Sequence, residues 1–169
     1  MKNKNTPHLL VLIITILAIM LAGCSGNALI NSSKAAPDIV SGYQFIIDMM
    51  ISSNTNLTDG IEYLAIDTTN LQGISSDEQA KLIQSLDQYK WKVLNKTYSQ
   101  LESDGLIKDL HFEKGVLIVI KDVRISGSKM KVNVSLYRGG LAAQGLDDLE
   151  ICYNDGQWSV LKTGPTWVA

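Results

Sequence analysis

The chain has 169 residues, 46% of them hydrophobic, with 15 basic and 17 acidic side chains and a formal net charge of −2. A sequence this near neutrality, with no basic stripe, excludes nucleic acid as a partner, because binding to phosphate backbones needs clustered Lys and Arg. The length is that of one domain, and two cysteines exclude a disulfide framework.

The amino terminus carries Lys2 and Lys4 in a short polar head, and fourteen nearly uninterrupted apolar residues run from Leu9 to Ala22. A membrane-spanning helix needs roughly 20 apolar residues. A positive head, a short apolar run and small residues at its end describe an export signal instead. The run closes on Leu21-Ala22-Gly23-Cys24. This tetrapeptide resembles the lipobox of bacterial lipoprotein signal peptides. The resemblance implies transfer of a diacylglycerol (its acyl chains palmitate among others) to the Cys24 thiol and cleavage just before that residue. Residues 1–23 are therefore expected to be a removed signal peptide, and Cys24 the lipidation site. Two or more acyl chains, at about 0.8 kcal/mol per buried methylene, hold a protein stably at a membrane where a single chain does not. The expected location is the extracytoplasmic face of the cell membrane. Without residues 1–23 the chain carries 13 basic and 17 acidic residues, a charge of −4. Anionic headgroups repel such a domain, which leaves attachment to the lipid.

Residues 24–36, the lipidated cysteine and a small, polar stretch after it, read as a flexible tether with a reach of about 20 Å. The domain is expected over 37–169. A helix is predicted from Pro37, with Ile39, Tyr43, Ile46, Ile47 and Met50 on one face. A strand follows over Ile61–Asp67, apolar on both faces as in a sheet interior. Ser75-Ser-Asp-Glu78 is a capping box that starts a second helix with a Leu82, Ile83, Leu86, Tyr89 stripe. Trp91–Asn95 reads as a strand. Thr97-Tyr-Ser-Gln100 repeats the capping pattern at a short helix that Gly105 can end.

From Gly115 the period changes to two. Val116–Ile120 looks central, and its extension reaches a turn at Ser126-Gly-Ser128. Met130, Val132, Val134 and Leu136 then alternate with Lys131, Asn133 and Ser135. Leu149–Tyr153 and Gln157–Leu161 flank Asn154-Asp-Gly156, a strong hairpin signal. The expected fold is α+β: N-terminal helices packed on a mixed, mostly antiparallel curved sheet that ends in a four-strand meander. The element order is similar to the cystatin-like and nuclear-transport-factor-like outlines. From Ile61 onward the sequence also resembles small lipoproteins of low-GC Gram-positive bacteria, through YLAIDTTNL, SSDEQAKLIQSL, FEKGVLIVIKDVRISGSKMKV, the Tyr-Arg-x-Gly-Leu segment and the closing DGQW. That resemblance brings no catalytic residues and no assigned activity.

Candidate chemistry is sparse. No G-x-S-x-G, H-E-x-x-H or P-loop pattern occurs. No cofactor and no metal are expected, since His111 is the one histidine outside the leader and cannot build a His-rich site. Cys152 in Leu-Glu-Ile-Cys-Tyr reads as a small buried hydrophobe, with a Cys152–His111 nucleophile pair as the enzymatic alternative. Asp147, Asp148 and Glu150 form the densest acidic cluster; it suits a solvated turn, or paired carboxylates in a hydrolase. The oddest segment is Tyr137-Arg138-Gly139-Gly140 with the glycine-rich run to Gly145. Read as a loop longer than its strands need, it is a candidate binding site, with Arg138 offering a planar fork to an anion. The plain alternative is a bulge or wide hairpin with a surface arginine. The carboxyl-terminal Trp167 is expected to be pinned into the sheet, since ordering a tail needs burial to offset its entropy. The functional expectation is a membrane-anchored, non-enzymatic binding or accessory module with an envelope protein, peptide or glycan as partner. The alternative is a small envelope hydrolase using Cys152 with His111, or the acidic cluster.

Overall fold

The computed structural model describes residues 36–169. The signal peptide, Cys24 and the tether as far as residue 35 lie outside the described residues.

The first helix, α1, spans Ile39–Ser53. It starts two residues after Pro37 because Asp38 is the N-cap, its carboxylate accepting from the Val40 and Ser41 amides. A single turn, α2 (Thr55–Thr58), follows. Strand β1 (Tyr63–Asp67) leads into α3 (Ser76–Ser85), which begins with the capping box of Ser75 and Glu78 in both directions. A 3₁₀ turn, Leu86–Tyr89, continues α3 and ends on Lys90 at φ 60°. Strand β2 (Lys92–Asn95) and α4 (Tyr98–Ser103) follow, the latter with its own capping box from Thr97 and Gln100. Four further strands run antiparallel: β3 (Gly115–Ser126), β4 (Lys129–Gly139), β5 (Ala142–Asn154) and β6 (Gln157–Lys162). A last strand, β7 (Thr166–Val168), pairs with β5.

The result is an α+β domain around a mixed, open, seven-stranded sheet in the order β2-β1-β3-β4-β5-β6. The amino-terminal region of the sheet is parallel: β1 pairs with β2 on one side and β3 on the other. The crossover from β1 to β2 carries α3. The crossover from β2 to β3 carries α4 and travels the opposite way across the sheet. Two crossovers of one hand in opposite directions set their helices on opposite faces. The buried clusters agree. Leu82 and Leu86 share a cluster with Leu64, Ile66, Val116 and Ile118, which also takes in Tyr43, Ile46, Ile47 and Met50 of α1. Leu101, in α4, shares a second cluster with Ala65, Leu117, Ile107 and Phe112 on the other face. Alternate residues of β1 and β3 thus serve different cores, so both strands read as unbroken apolar runs.

Two features depart from the sequence expectation. The Tyr137–Gly145 segment is not a long loop. Strand β4 continues to Gly139 and β5 begins at Ala142, leaving only Gly140-Leu141 as the turn. The glycines serve close approach instead. A Cβ on Gly139 would strike the His111 ring, and one on Gly145 would strike the Trp167 indole. The second is an added strand, β7, which pins Trp167 to β5 as the sequence leads one to expect, with the residue still 39% exposed. Residues 157–168 make one outer edge along β5, interrupted at Thr163-Gly164-Pro165. Trp167 lies opposite Gly145 in register, so a large ring covers a strand position that has no side chain of its own.

Candidate functional site

The end of the sheet at Gly140-Leu141 gathers most of the residues singled out in the sequence. It is built from two tight turns side by side. One is Gly140-Leu141 itself. The other is Asp109-Leu110, closed by reciprocal backbone bonds between Lys108 and His111 (3.0 and 2.8 Å). Both Asp109 and Leu110 have φ above zero, 48° and 63°, the sign pattern of a type I′ turn that normally takes Asn or Gly. A left-handed leucine costs of order 1 kcal/mol. Neighbouring bonds hold it there: the Leu110 carbonyl accepts from the Gly140 amide at 3.1 Å and from the Tyr137 hydroxyl. The two turn leucines point outward, Leu110 60% and Leu141 90% exposed.

Tyr137 is fixed at both ends of its ring, its hydroxyl on Leu110 and its edge against Tyr98 at 5.4 Å. Loss of water around the phenol, reinforced by the Tyr98 hydroxyl, pushes its pKa up to about 12. Arg138 directs its fork at its own chain. One guanidinium nitrogen donates to the carbonyls of Leu57 and Asp59 at 2.9 Å, the other to Glu113 at 3.3 Å. Its position therefore ties β4 to the segment after α2 and to the loop before β3. Gly139 accommodates the His111 ring, and Gly140 packs against Leu110.

Two concavities flank this end and share His111 and Glu113. One, of about 430 Å³, adds Arg138 and Ala142 to its lining. The other, of about 400 Å³, runs past Tyr63, Leu106, Lys108 and Phe112 to the Glu62–Lys114 ion pair at 2.8 Å. Tyr63 stacks on Phe112 at 6.3 Å, and the Lys92 ammonium lies over the Tyr63 ring at 5.8 Å. The lining of this second cavity is thus mixed in charge, with Tyr63 and Phe112 as its aromatic part.

The enzymatic candidates separate. Cys152 pairs with Lys129 at the start of β4, whereas His111 bridges to Gly139 at its end. Ten residue steps of strand separate those two levels, roughly 30 Å at the usual rise. Half-buried Cys152 has Ser128 as its polar neighbour, Sγ to Oγ 3.8 Å. Two of the acidic residues meet at one ammonium. Lys131 reaches Asp148 at 2.9 Å and Glu150 at 3.7 Å, and that ammonium holds the Asp148 carboxyl below its usual range. Asp148 also sits in a bulge at φ 53°. Its amide donates to Asn133 Oδ1 at 2.8 Å, while Asn133 Nδ2 donates to Asp122, at a second bulge on β3, at 2.7 Å. Asn133 thus latches a bulge on each neighbouring strand. Among the described residues no group of three or more His, Cys, Asp or Glu side chains is arranged to hold a metal ion.

Sequence reasoning missed Leu110. Its signal is an aspartate-leucine pair in the Lys-Asp-Leu-His tetrapeptide, which lacks the glycine a turn of this sign normally shows. No protein-family profile and no curated protein matches the sequence. Among solved structures, the solution NMR structure of a de novo designed β-sheet protein is similar over 56% of this chain and 87% of that one, at 16% identity and a TM-score of 0.26.

Proposed function

We propose that the protein is a lipid-anchored, extracytoplasmic binding module of the cell envelope, held by acyl chains on Cys24, that meets an envelope protein through the Leu110–Leu141 end of the sheet. The observation that carries this reading is Leu110. A leucine kept in a left-handed conformation, mostly exposed, beside a second leucine 90% exposed, is unfavourable for stability and for solubility alike. An apolar rim of this kind suits a protein surface better than a glycan. The described chain begins near the opposite end: the Trp158 indole, one residue from the β5–β6 turn, donates to the Asp38 carbonyl at 3.0 Å. Strand β5, of 13 residues, spans roughly 40 Å between the two ends. The chain thus leads into the domain far from the proposed contact surface. In fold terms, α1 beside the β3–β6 meander keeps the cystatin-like or nuclear-transport-factor-like outline as the working comparison. A membrane-anchored hydrolase is the lesser reading, since Cys152 and His111 are far apart.

The test combines two variants. Cys24→Ser should shift the protein from the membrane fraction to the medium or leave an uncleaved precursor. Leu110→Gly should raise stability by about 0.5–1 kcal/mol, because glycine takes the left-handed turn without strain, yet weaken cross-linking to the envelope partner of the wild type. Unchanged membrane attachment with normal processing removes the lipoprotein reading. Unchanged cross-linking by Leu110→Gly with Leu141→Ser removes the contact surface.

A further inference from the structure

The sheet has one free edge of a different character. Strand β6 ends the strand order, and its register fixes which of its backbone groups face outward. Asn154↔Gln157 flanks the two-residue turn Asp155-Gly156, followed by Tyr153↔Trp158, Cys152↔Ser159 and Ile151↔Val160. The Tyr153 amide donates away from β6, to the Ser128 carbonyl at 2.8 Å. Tyr153↔Trp158 is therefore a non-hydrogen-bonded pair, and by alternation so is Ile151↔Val160. Trp158 and Val160 turn their N–H and C=O groups away from β5, toward a side where no strand of the described residues lies. Val160 is 42% exposed.

Beside this edge runs a groove of about 310 Å³, with Ser41, Gln44, Phe45 and Asp48 of α1 on one side and Gly156, Gln157 and Trp158 on the other. Asp48 is the one charged residue in that lining. Its carboxylate accepts from the Tyr89 hydroxyl and from Gln88 at 3.4 Å, and a carboxylate so placed retains acceptor capacity. A helix and a free strand edge with a groove between them make the geometry of strand addition, in which the backbone row provides affinity and the groove selects side chains.

We infer that the β6 edge takes an extended peptide as an added strand. The peptide exchanges backbone hydrogen bonds with Trp158 and Val160, sets an apolar side chain against Val160 and Phe45, and turns a basic side chain toward Asp48. The occupant follows from the edge and its groove: outward backbone groups at spacing i, i+2 pair with an extended backbone, and Asp48 gives the groove an acidic partner for a basic side chain. The bulge at Leu161, where Glu150 pairs with Lys162 and Ile151 with Val160, limits the pairing to the Gln157–Val160 stretch. This surface lies at the far end of β5 from Leu110 and Leu141 and does not depend on their role.

The experiment uses the full chain in detergent micelles and a fluorescent, acetylated peptide of alternating valine and threonine with one lysine. A control peptide is methylated at every second amide nitrogen, in both phases. Binding is followed by anisotropy and by the amide resonances of Trp158 and Val160. Val160→Pro removes an outward N–H without touching the pairing to β5. It should leave melting unchanged and weaken peptide binding about tenfold, as should one of the two methylated peptides. Asp48→Asn should weaken the lysine peptide several-fold and leave its norleucine counterpart unaffected. Equal binding by Val160→Pro and by both methylated peptides overturns the inference, as does a lack of binding up to saturation. A concentration-dependent dimer that Val160→Pro abolishes, with no peptide binding, also overturns it by assigning the edge to a second copy.

Discussion

The parallel region of the sheet, β2-β1-β3, and its antiparallel region, β3 to β6, solve the same problem differently. In the parallel region both faces are buried. Leu64 and Ile66 of β1 point into the larger cluster, while Ala65 between them points into the smaller, with Leu101 and Phe112. Across the antiparallel strands a single face joins the larger cluster, through Met130, Val132, Val134 and Leu136. The opposite face carries Lys131, Asn133 and Ser135, half-buried among polar partners. There, order comes from bonds between side chains and bulges, such as Asn133 between Asp122 and Asp148, rather than from a second core. Apolar burial holds the parallel region. The antiparallel region leaves its far edge and its turn tips open; the β6 edge and Leu141 fall on it, and Leu110 joins them from the connection that leads into β3.

The largest expected effect breaks the two-sided burial. Phe112 is 1% exposed, stacks on Tyr63 and covers Gly115. Phe112→Ala should cost about 3–5 kcal/mol, the range for a large buried aromatic. The loss should be local first. In hydrogen exchange, amides of β1 and β2 should lose more protection than those of β5 and β6. Equal loss everywhere would mean that the smaller cluster is no separate unit.

A middle effect tests how the two regions are joined. Arg138 stands on β4, and its three carbonyl partners precede β1 and β3. Arg138→Ala should cost about 1.5–3 kcal/mol, the range for hydrogen bonds to a charged group. Arg138→Lys should recover only a fraction of this, since one ammonium cannot span three acceptors in a fixed fork. Melting within a degree of the wild type for Arg138→Ala would show that the brace contributes nothing and would return the guanidinium to the role of an anion contact.

These positions also mark what the sequence made legible. Local chemistry was readable. Ser75 with Glu78 and Thr97 with Gln100 form the reciprocal caps their spacing implies, and the alternation of β4 matches its burial. The turn at Asp155-Gly156 sits where Asn-Asp-Gly announces it. Long-range partners were not readable. Arg138 reaches a carbonyl 81 residues back in the chain, and no local pattern encodes that. The glycines after Tyr137 suggested freedom because glycine is the loop residue by default. Here two of them clear space for His111 and Trp167, rings brought in by other segments. The aspartate-leucine turn carries no glycine and was therefore silent, although it shapes the candidate site more than any other pair.

The smallest expected effect stays within the polar face of the antiparallel region. Lys131 holds Asp148 at 2.9 Å, and the Asp148 carboxyl lies below its ordinary range first because of that hydrogen bond and then because of the ammonium's charge. A carboxyl depressed in the folded state favours folding above its unfolded value, about 3.9, and loses that contribution as pH falls through the folded value. Lys131→Met should therefore melt slightly below the wild type at pH 7, and the two should converge as pH drops below about 4. Salt at about 1 M, with a screening length of about 3 Å, should also close the gap at pH 7, because the pair is solvent-exposed. If the difference survives both acid and salt, the lysine acts through its half-buried methylenes packed on the sheet rather than through its charge. The polar face would then be held, like the parallel region, chiefly by burial.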